Sequence, residues 1–283
     1  MIIDVHTHAF PDSLAPRAME KLEVGNARAF TDGTVAGLLR SMDAAGVDQS
    51  VICSIATKPE QFDPILKWSL AVQSDRLIPL ASIHPADPRA VERVAEVKAA
   101  GLRGLKIHPY YQDFDLADEA LSDFYGAVES SGLLLVSHTG FDIAFPKDRR
   151  ADATRILKVL DRFPRMNFMA THFGAWNDWD DVESRLIGKP VNLEISLTLE
   201  FLSPEQVRRM ILSHPADRLY FGSDSPWGNP AEALRLLRDL DLPSPLLQKI
   251  LSSNAACLFR QGIIPHPLPH AGSAAARRSA STS

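Results

Sequence analysis

Short apolar runs alternate with amphipathic stretches along the whole chain. Eight runs read as buried strands: Ile2–Val5, Gln49–Ile55, Ile78–Ile83, Gly104–Ile107, Leu133–Ser137, Asn167–Thr171, Asn192–Ser196 and Arg218–Gly222. Between them apolar residues recur at helical spacing, as Val35, Leu38, Leu39 and Met42 do within Thr34–Ala45. Further helical patterns cover Arg89–Ala100, Asp118–Ser131, Ala151–Phe163, Pro204–Ser213 and Pro230–Leu240, with weaker ones at Pro59–Ser74 and Asp178–Leu186. Pro204 and Pro230 suit first-turn positions behind the candidate caps Ser203 and Asn229. Gly46, Gly101 and Gly132 each follow a helical run, where a left-handed residue ends a helix well.

Connections long enough for a crossover helix imply parallel pairing. Eight strand–helix units close a (β/α)8 barrel, the fold expected here as one α/β domain over residues 1–262. A doubly wound open sheet is the alternative, but the first strand runs into His-Thr-His rather than a glycine-rich phosphate loop. A final helix, Pro245–Phe259, is expected to pack outside the barrel. Residues 263–283 are small, polar and proline-rich, and are expected to be disordered.

Catalytic groups of such barrels sit at the C-terminal ends of the strands. His6 and His8 end strand 1, Lys106 and His108 strand 4, His138 strand 5, His172 strand 6 and Asp224 strand 8. Side chains two apart on a strand share a face, so His6 and His8 can grip one cation. Strands 1 and 8 are neighbours in a closed barrel, which brings Asp224 to that cation, and His138 completes the set from across the mouth. A lone strand histidine is more often a core residue than a ligand; four such groups converging by accident is the poorer explanation. Three imidazoles and a carboxylate suit Zn2+ and could also hold Mn2+ or Fe2+. Asp4 lies on the same face as His6 and could support the metal site or barrel packing.

The segments Asp4-Val-His-Thr-His8, Gly104-Leu-Lys-Ile-His-Pro109, Ser137-His-Thr-Gly140, Thr171-His-Phe-Gly174, Tyr220-Phe-Gly-Ser-Asp-Ser-Pro226 and Asn254-Ala-Ala-Cys-Leu-Phe259 resemble the amidohydrolase superfamily. More narrowly, they resemble the branch containing aminocarboxymuconate-semialdehyde decarboxylase and related hydrolases. The resemblance implies a metal on His6, His8, His138 and Asp224, with His172 a second-metal ligand or a catalytic acid and base. It also leaves two states open for Lys106. Carboxylated, it would bridge two metals; unmodified, it would meet a substrate carboxylate beside one metal. One divalent ion, zinc first, is favoured.

The expected reaction is hydrolysis of an amide, lactone or ester bond in a small carboxylated molecule, with Asp224 and His172 handling protons. Metal-dependent decarboxylation or hydration at the same site is the alternative. A barrel that binds metal and metabolite without turnover is a third class, which the intact ligand set disfavours. Substrate contacts are expected from Lys106, His108, Tyr110 and Trp227, with Tyr111, Phe141 and Trp176 as further mouth aromatics. His84 and His214 read as loop and bottom-face structure, and His266 and His270 as tail residues. Lys147, Arg149 and Arg150 form a basic cluster after strand 5, more simply a solvated charge run than an anion site.

Composition adds exclusions. The 283 residues are 45% hydrophobic and 23% charged, as in ordinary globular chains. A net charge of −5 gives no case for binding nucleic acid or an acidic membrane surface. No apolar run reaches the roughly 18 residues of a membrane helix. The first strand begins at once, so no secretory leader is expected, and two cysteines make no disulfide framework. A cytoplasmic enzyme with a small-molecule substrate is expected; pairing into a homodimer is allowed, but no stretch marks an interface.

Overall fold

The computed structural model describes residues 1–23, 28–145 and 148–260. Lys147, His266, His270 and the tail expected to be disordered lie outside the described residues. The strands are β1 Ile3–Thr7, β2 Gln49–Cys53, β3 Leu77–Leu80, β4 Gly104–Ile107, β5 Leu134–Ser137, β6 Asn167–Ala170, β7 Asn192–Glu194 and β8 Leu219–Tyr220. The helices are α1 Ala15–Leu22, α2 Val35–Ala45, α3 Phe62–Val72, α4 Ala90–Ala99, α5 Ser122–Ser131, α6 Ala153–Arg162, α7 Trp179–Arg185, α8 Pro204–Ser213, α9 Pro230–Asp239, α10 Ser244–Gln248 and α11 Asn254–Arg260.

All strand pairs are parallel, in two ladders, β1-β2-β3 and β4-β5-β6-β7-β8. Isolated bridges join the ladders into a closed barrel. At one seam Ala81 pairs with Leu105, and Lys106 N donates to the Ala81 carbonyl at 2.9 Å. At the other Thr7 pairs with Ser225; Val5 N donates to the Phe221 carbonyl at 2.9 Å and Asp224 N to that of His6 at 2.8 Å. The expected (β/α)8 barrel is therefore the observed fold.

Most strands stop short of their expected C-terminal ends. Past the ladder, backbone donors turn to side chains: Ala56 N to Ser82 Oγ, His108 N to Gln112 Oε1, His172 N to Glu194 Oε1 and Ser196 N to Glu194 Oε2. These substitutions release the chain from the sheet and aim the mouth loops. Ser203 and Asn229 cap α8 and α9 as expected, and Gly46, Gly101 and Gly132 take positive φ. Helix α1, which buries only Ala15 and Met19, has too narrow an apolar stripe to be read from sequence.

The C-terminal helix packs outside the barrel, as expected. Its Ala255 and Phe259 join Ile3, Val5, Val51, Cys53, Leu80, Leu134, Val136, Met169 and Tyr220 in one buried cluster. Residues from six strands meet only on the barrel axis, so α11 covers the end opposite the histidines rather than packing on the flank. Cys53 is a buried apolar residue, its thiol pushed up to about 12 by burial.

Candidate metal centre

At the C-terminal ends of the strands, three donor atoms converge. His6 Nε2 lies 3.2 Å from His8 Nε2 and 3.3 Å from Asp224 Oδ1, and His8 Nε2 lies 3.1 Å from the same oxygen. Lys106 Nζ is 3.1 Å from His6 Nε2. All four residues are buried, Lys106 to 1% exposure. Two imidazole lone pairs and a carboxylate oxygen repel one another at such distances unless a proton or cation lies among them. Ligands about 2.1 Å from one ion sit a little over 3 Å apart, so the donor set fits a divalent cation.

His138 reaches this group through His172. Its Nδ1 lies 3.2 Å from His172 Nε2, while its Nε2 is 2.9 Å from the Phe141 carbonyl. That carbonyl accepts only, so Nε2 carries the proton and Nδ1 faces His172 Nε2. The same commitment weakens His108, His138 and Asp142 as a separate cation site, although their donor atoms are close. His108 stacks on His138 with ring centroids 4.1 Å apart.

Two contacts were not expected from sequence. Glu194, fully buried at the end of β7, sits 2.9 Å from His6 Nδ1, and Ser196 Oγ sits 2.9 Å from His172 Nδ1. Asp4 accepts from Ser223 Oγ at 2.5 Å, Ser223 N at 3.0 Å and His6 N at 3.2 Å, so it fixes the strand 1 and strand 8 backbones beneath the donors. His172, Phe173 and Asp224 have φ of 55°, 56° and 59°. Such left-handed residues cost roughly 1–3 kcal/mol each, and they persist because the surroundings over-determine them. Here the bonds from His172 N to Glu194 and from Asp224 N to the His6 carbonyl do so.

Around the mouth, Trp227 meets His8 edge-on at 5.2 Å, Trp176 meets His172 at 5.9 Å and Tyr111 meets His108 at 4.7 Å. Tyr110 spends its hydroxyl on the Gly140 and Asp148 carbonyls, which makes it a strut between loops with no free hydroxyl to offer a substrate. Gly140 is held at φ +90° against the strand 6 loop; an added Cβ would lie 1.9 Å from Trp176 N. Arg149 pairs with Asp178, and Arg150 with Asp113 and Asp148, so neither points an unshared charge at the mouth. His84 caps Ala86 N and His214 bonds the Val191 carbonyl, both as structural residues.

Burial sets the protonation pattern. It drives the imidazoles of His6 and His108 well below their usual range, that of His138 to about 3 and that of His172 to about 4. It also lowers Lys106. Burial alone would raise Asp224, but His6 and His8 hold its carboxyl well below the ordinary value. Burial raises Glu194, against the N–H and hydroxyl groups that surround it, and takes Asp4 up to about 7 despite its bonds to Ser223.

A depressed histidine binds fewer protons folded than unfolded. Its contribution to stability is present above 6.5 and is lost as pH falls toward about 4. Asp4, Glu194 and Glu200 act in the opposite sense, three raised carboxyls against a larger number of lowered imidazoles. The metal-free protein is therefore expected to melt at a lower temperature at about pH 5 than at about pH 7, as followed by circular dichroism. An equal or higher midpoint at the lower pH would contradict this protonation pattern.

An α/β barrel with histidines and an aspartate gathered at the C-terminal strand ends defines a class of metal-centre barrels. The family profile described as Amidohydrolase matches residues 3–261, and the chain belongs to that family. A search of curated proteins finds no match. Among solved structures, the chain is similar to the 5-carboxyvanillate decarboxylase of Sphingomonas paucimobilis, with 18% identity, 92% of this chain and 98% of that one covered, and a TM-score of 0.69. It is similar to the 2,6-dihydroxybenzoate decarboxylase of Rhizobium, with 17% identity, coverage of 92% and 98%, and a TM-score of 0.67. It also resembles a protein named as a 2-pyrone-4,6-dicarboxylic acid hydrolase from Pseudomonas putida, with 18% identity, coverage of 92% and 97%, and a TM-score of 0.65. Identities this low carry the fold alone. Among the described residues no helix is long and apolar enough to cross a membrane.

Proposed function

We propose that the chain is a metal-dependent hydrolase that opens an amide, lactone or ester bond in a small carboxylated molecule. The observation that carries this reading is the convergence of His6 Nε2, His8 Nε2 and Asp224 Oδ1 within 3.3 Å beside the buried Nζ of Lys106. We assign one divalent ion, zinc before manganese, to His6, His8 and Asp224, with His138 Nδ1 as the fourth donor. Such an ion lowers the pKa of water toward about 7 and polarises a carbonyl oxygen.

The chain's own groups supply the rest. Asp224 stays ionised and takes a proton from the attacking water. His172 is neutral, so its Nε2 receives that proton and passes it to the leaving group. Lys106 and His108 meet the substrate carboxylate, while Trp227, Trp176 and Tyr111 flank a planar body. A second ion would require a carboxylated Lys106 and would turn His172 into a ligand. The free thiol of exposed Cys257 fits a reducing compartment such as the cytoplasm.

Decarboxylation is the second reading. It is favoured by the named decarboxylases among the similar structures and by a buried cation suited to a carboxylate. Elemental analysis of untagged protein tests the shared part. About one zinc or manganese per chain supports the assignment, about two moves Lys106 into a bridge, and none after reconstitution sinks it. Turnover in 18O-labelled water then separates the chemistries: label in the product marks hydrolysis, and released CO2 with an unlabelled product marks decarboxylation.

A further inference from the structure

We propose that Glu194 and Ser196 act together as a positioning pair that sets the tautomers of His6 and His172 at once, coupling the grip on the metal to the imidazole that moves protons. The proposal rests on the roles just assigned to those two histidines.

Glu194 is 0% exposed, and four donors converge on it. Oε1 faces His6 Nδ1 at 2.9 Å, His172 N at 2.8 Å and Ser196 Oγ at 2.8 Å, and Oε2 faces Ser196 N at 2.7 Å. Two of these are backbone N–H groups, which only donate. A carboxylate ringed by donors is satisfied as the anion, and an anion only accepts.

The proton positions then follow in sequence. Ser196 has one hydroxyl hydrogen, and Glu194 takes it. The Ser196 oxygen is left as an acceptor, so His172 Nδ1, 2.9 Å away, must be the donor. His6 Nδ1 donates to Glu194 directly. A neutral imidazole carries a single N–H, so both Nε2 atoms present lone pairs to the centre.

For His172 this tautomer is opposed locally. His138 carries its proton on Nε2, toward the Phe141 carbonyl, so its Nδ1 is a bare acceptor 3.2 Å from His172 Nε2. Without Ser196, His172 gains a bond by moving its proton to Nε2 and donating to His138. That shift blocks both atoms, one as a proton carrier and the other as a ligand. Ser196 holds His172 against this alternative, and Glu194 holds Ser196. Glu194 also makes His6 a more basic ligand, as a carboxylate partner does for a metal-bound histidine.

The test reads the tautomers in the metal-free full chain, where His138 Nδ1 is bare, by long-range 1H–15N spectra of 15N-labelled histidine, and reads zinc affinity by chelator competition. In the unaltered protein His6 and His172 should both show the Nδ1–H signature. In Ser196→Ala, His172 should move to Nε2–H and kcat should fall with KM little changed, while Ser196→Thr restores both. In Glu194→Gln, zinc affinity should fall by about 10- to 100-fold. The proposal is overturned if His172 keeps Nδ1–H in Ser196→Ala, or if folded Glu194→Gln binds zinc as tightly as the parent. If Glu194→Gln does not fold, the Ser196 variants decide alone, because Ser196→Ala removes one hydroxyl and Ser196→Thr keeps it while adding one methyl group. Failure of every substrate would defeat the hydrolase reading but leave the tautomer and zinc results to judge this one.

Discussion

Asparagine in place of Asp224 is expected to lower kcat by about 1000-fold or more while the barrel stays folded. Asparagine matches aspartate in size and tolerates the left-handed backbone, so φ of 59° is no obstacle. What disappears is charge. His6 and His8 lie 3.3 and 3.1 Å from Oδ1, and the ionised carboxyl is the negative member of the donor set. A positioned proton acceptor alone is worth about 100- to 10,000-fold in rate, and a weakened grip on the ion adds to the loss. Steady-state kinetics beside a far-UV melt provides the check. Turnover within tenfold of the parent at saturating zinc would remove Asp224 from the chemistry. A pure binding protein would have no turnover to lose.

Lys106→Met should raise KM for carboxylated substrates by about 10- to 100-fold, the equivalent of the roughly 1.5–3 kcal/mol of a hydrogen bond to a charged group. It should also change how stability depends on metal. Burial lowers Lys106, while the nearby carboxylates of Asp224 and Glu194 act to keep it charged. Removing one partner of a buried charge set leaves the others uncompensated. The metal-free variant should therefore melt below the parent, and zinc should raise its midpoint by more than it raises the parent's. An unchanged KM would release Lys106 from substrate binding. An unchanged response to zinc would show that its charge does not help to balance the donor set.

Much of the barrel can be read from the chain because its signals are local. The β4 bounds, the caps Ser203 and Asn229, and the glycines after three helices follow from neighbours within a few residues. His6, His8, His138, His172 and Asp224 stand out because each is a polar interruption at the end of an apolar run, a position that barrel topology turns into a common mouth. Glu194 did not stand out. In Asn192-Leu-Glu-Ile-Ser196 it looks like any alternate polar residue of a half-exposed strand, and only closure of the barrel turns that face inward. The charges of Arg149 and Arg150 were hard to place for a related reason. The Asp178 partner of Arg149 lies 29 residues away on another loop, where one-dimensional spacing carries no information. Which outer face the end helix covers is not legible, because Ala255 and Phe259 suit a barrel flank and a barrel floor equally well by composition.

The seam between the first and last strands has a consequence beyond catalysis. Its strand pairing rests on one isolated bridge and a few backbone bonds, and His8 and Asp224 face each other across it from positions 216 residues apart. Under the proposed ligation, one ion fastens the two ends of the barrel, like a rivet closing a hoop. Closing so long a loop removes much of the chain's freedom when unfolded. Chelation would then slacken the hoop itself, and lost activity at this centre would carry the cost of an opened seam as well as that of missing chemistry.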